Sequence, residues 1–180
     1  MKEFERIIFV GRSGNCREVM AAELLKTKPL WHKPEILARG LVVLFPEPLN
    51  QKVEAIMSGK GFQPGNYMSA QLEAEDITKN TLVLTFEKSG ISKIQSKFPD
   101  IPYLYVLTDV SGDELEILDP TGQDLITYGI CYETLEKSIS KLATVLNDGT
   151  FSFDQTADSE TENEKADEPG NEEIFEGEDQ

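Results

Sequence analysis

Ile7-Ile8-Phe9-Val10-Gly11-Arg12-Ser13-Gly14-Asn15-Cys16-Arg17-Glu18 is the stretch on which the reading of this chain turns. Its first four residues are a continuous apolar run with β-branched side chains, the pattern of a strand buried on both faces. A loop with two glycines follows. From Arg17 the chain runs on as Glu18-Val19-Met20-Ala21-Ala22-Glu23-Leu24-Leu25-Lys26, made of good helix formers. Strand, tight loop and helix open a βαβ unit. Such a loop turns successive backbone N–H groups inward, and the helix dipole adds to them, so residues 11–18 can cradle an oxyanion. The loop lacks Gly-Lys-Ser/Thr and is no Walker loop. Its glycines at 11 and 14 flank Ser13 asymmetrically, so it is no Gly-x-Ser-x-Gly elbow either.

The alternation continues outward from this stretch. Residues 35–38, 81–86 and 103–107 read as strands. Residues 49–57, 87–98 and 131–146 read as helices, with a single helical turn at 74–78. Four strands separated by helices predict a single α/β domain over residues 1–150, built on a parallel sheet covered on both faces. Ligands of such sheets sit outside the carboxyl ends of the strands. The loops after Val10, Phe86 and Leu107 are therefore expected to converge on one edge.

The chain has 180 residues with a net charge of −16. Residues 151–180 hold 12 acidic residues and one lysine, whereas residues 1–150 hold 21 acidic and 16 basic residues. The final segment has almost no apolar area to offset the entropy of ordering and reads as a disordered acidic tail. A short docking motif at Glu172-Glu173-Ile174-Phe175-Glu176 is a second reading of it, in which the chain works as an interaction module. A net charge this negative argues against nucleic acid or an anionic membrane surface as a partner. No run is long enough for a membrane span, and the start has no signal-peptide shape. Cys16 and Cys131 make no disulfide scaffold, which leaves a cytoplasmic protein as the expectation. The sole histidine, His32, has no second ligand nearby, so no metal is expected.

The stretch at 7–22 resembles the phosphate loop of the low-molecular-weight protein tyrosine phosphatases. In that family an apolar strand is followed by Cys-x₅-Arg-Ser/Thr, then Pro-Met-Ala-Glu and a helix. Arg17 stands at the arginine position and Met20-Ala21 follow at the right distance. The resemblance continues through Arg39-Gly40-Leu41, Ala70-Gln71-Leu72 and the strand at 81–86, and ends in Asp119-Pro120-Thr121-Gly122 before the last helix. It implies a four-stranded parallel sheet of order 2-1-3-4 and no cofactor. In the family chemistry a cysteine thiolate attacks phosphorus while loop N–H groups and the arginine hold the oxygens. The Ser/Thr after the arginine bonds the thiolate, and the Asp of Asp-Pro protonates the leaving group.

The match breaks at the reacting atoms. Six residues before Arg17 stands Gly11, which has no side chain. Glu18 replaces the Ser/Thr, Val19 the proline, and Tyr67 sits where relatives often carry histidine. Gly14 occupies the usual asparagine position, with Asn15 one place later, and it reaches positive φ as readily as asparagine. The positions kept are Arg17 and Asp119. Cys16 lies at a helix N-terminus beside Arg17, and both are expected to lower its pKa, yet it is one residue from the arginine, not six.

Glu18 has two readings: a first-turn residue pointing to water, or a carboxylate facing the loop. In the second case it opposes a bound phosphate at a cost on the order of 3–4 kcal/mol at an effective dielectric of ~20. Arg17 either binds an oxyanion or pairs internally, with Glu18 or Asp119. The expected function is a catalytically impaired pseudophosphatase with a phosphate-type oxyanion or a phosphoprotein as its ligand. The alternatives are an active aryl phosphatase of the family and the tail-based interaction module.

Overall fold

In the computed structural model, which describes residues 2–155, four parallel strands form one sheet. They are β1 (Arg6–Gly11), β2 (Glu35–Gly40), β3 (Thr81–Thr85) and β4 (Tyr103–Val106), in the order β2-β1-β3-β4. This is the expected order 2-1-3-4. The central strand β1 pairs with β2 on one side and β3 on the other, placing Ile8 opposite both Leu37 and Val83. Because β1 and β3 are covered on both faces, their apolar residues run without alternation, and Ile7, Ile8, Phe9 and Val10 are all buried.

Successive side chains leave the sheet on opposite faces. Ile7, Phe9, Leu82 and Leu84 join the larger core, together with residues of α1 (Arg17–Lys26), α2 (Gln51–Gly59) and α5 (Leu125–Asp148). Ile8, Val10, Val83 and Leu104 join the smaller one, covered by Ile94 of α3 (Lys88–Lys97). Helix α1 is buried nearly all round, because the sheet lies on one side of it and α5 packs along the other.

Two elements differ from the sequence expectation. Helix α5 starts at Leu125, not near residue 131, because the Asp124 carboxylate caps it by accepting from the Thr127 N–H at 2.8 Å. Leu107 is not the end of β4 but the start of a short helix, α4 (Leu107–Ser111), which Gly112 ends in the left-handed region. At Gly90 of α3 a Cβ would lie 2.2 Å from Thr85 Oγ1, so glycine lets the helix rest on β3. The single turn expected at 74–78 is a 3₁₀ turn, Ala74–Asp76.

The packed chain also runs past residue 150. Phe153 meets Phe4 edge-on at 5.0 Å between ring centroids, and Phe151 meets Tyr105 at 5.4 Å. The acidic tail expected over residues 151–180, with its Ile174-Phe175 motif, otherwise lies outside the described residues. No helix among the described residues is long and apolar enough to cross a membrane.

Candidate functional site

The loop between β1 and α1 has its carbonyl groups turned outward. Gly11 O accepts from Leu41 N at 2.9 Å, Arg12 O from Val42 N at 3.0 Å, and Asn15 O from Asn50 N at 3.1 Å. The Tyr67 hydroxyl donates to Gly14 O. Cys16 O accepts from Val19 N and Met20 N at the start of α1. By contrast, the N–H groups of Ser13, Gly14, Asn15 and Arg17 meet no acceptor among the described residues. Gly14 holds φ at +76°, and a Cβ there would lie 2.9 Å from Gly40 N, so both the turn and the close approach call for glycine. The side chains of Ser13 and Asn15 bond each other at 2.7 Å, and Asn15 reaches Glu47 at 3.3 Å.

Glu18 turns into this loop and not to water. It is 1% exposed, and its Oε1 accepts from Cys16 N at 3.4 Å. Its carboxylate fills the space beside Gly11: a Cβ on Gly11 would lie 2.1 Å from Glu18 Oε2 and 2.6 Å from Cδ. Burial, the largest influence, pushes the Glu18 carboxyl above its ordinary value. Its own N–H, Arg17 and the Cys16 N–H oppose that shift without cancelling it, and Asp119 adds to it.

Arg17 is pinned from two other elements. Its Nη1 donates to Glu87 Oε1 at 2.7 Å and to Ile117 O at 2.5 Å, and its guanidinium lies 5.0 Å from the Phe86 ring centre. Asp119 Oδ2 is 3.7 Å from Nη2. The internal pair expected for Arg17 therefore forms chiefly with Glu87, which sequence reasoning did not single out. The available signal was its place directly after the buried run 81–86, on the loop expected at this edge. Nη1 is spent on these partners and Nη2 faces Asp119, while Nε makes no hydrogen bond among the described residues.

Asp119 is tied into its own turn, accepting from Thr121 Oγ1 at 2.6 Å and Thr121 N at 3.0 Å. Burial pushes its carboxyl up, but the two Thr121 bonds, then Arg17 and Arg12, outweigh that and hold it below the ordinary carboxylate value. Cys16 departs from the sequence expectation. Its thiol is pushed up to about 12, first by burial and then by Glu18, Asp119 and Cys131, which Arg17 does not offset. Burial likewise pushes Cys131 up to about 11. Burial and then Glu18 push the Tyr67 hydroxyl up to about 12.

A cleft of about 480 Å³ opens over the loop at the carboxyl edge of the sheet. Gly11, Arg12, Arg17 and Asp119 line it on the loop side, and Glu87 and Lys93 on the α3 side. The loops after β1 and β3 thus meet at one edge. Among the described residues no group of three or more His, Cys, Asp or Glu side chains could hold a metal ion.

Known proteins are similar to this chain in sequence and in fold. The protein-arginine-phosphatase of Geobacillus stearothermophilus is 32% identical over 142 residues, which cover 77% of this chain and 93% of that protein. The low molecular weight protein-tyrosine-phosphatase PtpB of Staphylococcus haemolyticus is 27% identical over 140 residues, covering 77% and 98%. The solved structure of the YwlE arginine phosphatase from Geobacillus stearothermophilus superposes with a TM-score of 0.71 at 30% identity, covering 81% of this chain and 94% of that one. The sequence profile of the low molecular weight phosphotyrosine protein phosphatases matches residues 6–150, and the chain belongs to that family.

Proposed function

We propose that this chain is a pseudophosphatase: a protein that holds a phosphate-type oxyanion, carried on a phosphorylated protein side chain, without turning it over. The observation that carries this reading is the Glu18 carboxylate standing where the first side-chain atom of any nucleophile at position 11 would have to be. Loss of a covalent nucleophile costs several orders of magnitude in rate. Cys16 offers no replacement, because a buried thiol pushed up to about 12 supplies almost no thiolate near neutrality. Asp119 is held as an ionised acceptor by Thr121, so it is a poor proton donor to a leaving group. What favours binding is the set of four loop N–H groups with no acceptor among the described residues, the Arg17 guanidinium, and the open cleft.

The test is turnover. The purified protein is expected to hydrolyse p-nitrophenyl phosphate, a phosphotyrosine peptide and a phosphoarginine peptide no faster than its Arg17→Ala variant. Turnover that depends on Arg17 overturns the reading. If Cys16→Ala then abolished that turnover, the reaction would belong to that thiol.

A further inference from the structure

The loop contains an anion site that is already contested from within. Its N–H groups at Ser13, Gly14, Asn15 and Arg17 have no acceptor among the described residues, yet a carboxylate of the chain's own is buried at its base. The groups around Glu18 come from five places. Its own helix supplies Arg17, whose Nη1 is committed to Glu87 and Ile117. The end of the loop supplies the Cys16 thiol and N–H. The segment before α5 supplies Asp119, and α5 supplies Cys131. The segment before the 3₁₀ turn supplies Tyr67. Only Arg17 among these is positive. An ionised Glu18 and a bound dianion would therefore repel each other with little to screen them, enough to weaken binding roughly a hundred- to a thousandfold.

We propose that a tetrahedral oxyanion enters this loop together with a proton, which Glu18 takes up. The proton comes from solvent and ends on a Glu18 carboxylate oxygen, so the charge at the base of the loop falls by one as the anion arrives. The neutral acid no longer repels the anion, and its O–H becomes a donor where the ionised form was a competing acceptor. The proposal rests on the reading of the loop as an oxyanion site.

The sign follows from linkage. The anion raises the Glu18 pKa further, so the complex binds more protons than the free protein between the two values. Affinity is highest below that window, falls as pH rises through it, and levels off above it.

Sulfate is the probe, because it stays a dianion and its own titration cannot mimic the effect. Calorimetric titration of the full chain from about pH 5.5 to about pH 8, in two buffers of different ionisation enthalpy, reads both affinity and proton uptake. Affinity is expected to rise by up to about tenfold per pH unit lowered within the window, with up to about one proton taken up per sulfate. Glu18→Gln is expected to bind with a flat profile, at the level the unmodified protein reaches in acid. Sulfate binding with neither pH dependence nor proton uptake overturns the coupling and leaves the oxyanion-site reading standing. A pH dependence that persists in Glu18→Gln also overturns it, by moving the proton to another group. Absence of sulfate binding in both proteins, each shown folded by circular dichroism, overturns the oxyanion-site reading itself. If Glu18→Gln does not fold, proton uptake by the unmodified protein decides alone.

Discussion

The loop between β1 and α1 and the aromatic corner beside β4 are both assembled from distant parts of the chain, and they are held by opposite means. At the corner, Phe4 packs edge-on against Tyr103 at 5.3 Å and Phe153 at 5.0 Å. The Tyr105 hydroxyl donates to Asp154 O at 2.7 Å and accepts from Asp154 N at 2.8 Å. Apolar area is covered there and the polar atoms exchange bonds. At the loop, two charged neighbours, Arg17 and Glu18, are buried side by side in sequence, yet Arg17 reaches away to Glu87. Glu18 fills a space that glycine leaves. Substitutions at the corner should cost the area they remove. Substitutions at the loop should cost according to which group they crowd or leave alone.

The largest effect should come from crowding. Gly11→Cys alone puts a side chain against the Glu18 carboxylate inside a closed loop, and should destabilise by about 3 kcal/mol, measured by urea unfolding. Adding Glu18→Ser should recover most of that loss. Two changes acting on one space are not additive. Only the double variant should then hydrolyse p-nitrophenyl phosphate, since it alone has a thiol with room and a hydroxyl beside it. A Gly11→Cys protein as stable as the parent would mean that Glu18 swings freely out of the loop.

Glu87→Gln should rank next, because it leaves the Arg17 charge buried with Asp119 and the Ile117 carbonyl as its remaining acceptors. A loss of about 2 kcal/mol in urea unfolding is expected. The corner supplies the smallest effects. A chain ending at Ser152 loses the Phe153 ring and should be less stable by about 1–2 kcal/mol. A chain ending at Gln155 keeps the whole corner and should match the full protein within about 0.5 kcal/mol by thermal unfolding. A larger loss on that second cut would give residues 156–180 a role in holding the domain, against their composition.

The fold was legible wherever the signal was local. Ile7 to Val10 and Thr81 to Phe86 read as buried strands because a strand covered on both faces needs no polar side. Gly14 read as a turn position because its φ is a property of the backbone alone, and the loop does place it at +76°. The start of α5 was misread by about one and a half turns although its cause is local too. Asp124 and Thr127 form the cap, but Thr127 and Gly129 are weak helix formers that mask the start.

The site was only half legible. Its frame and its missing thiol stand in residues 10–18 as written, because a glycine in place of a cysteine is a fact of composition. The partners of its charges do not. Arg17 bonds to acceptors 70 and 100 residues away, and Cys16 moves up to about 12 where its neighbours in the chain argued for a shift down. On the sequence Glu18 could face water or the loop, and its burial at 1% exposure is set by the packing around α1. Propensity and spacing act between residues close in the chain, so they reach the backbone path. Burial and pairing act through space, so the protonation of each charged group, and with it the chemistry the loop can do, is decided only by the packing of sheet and helices around it.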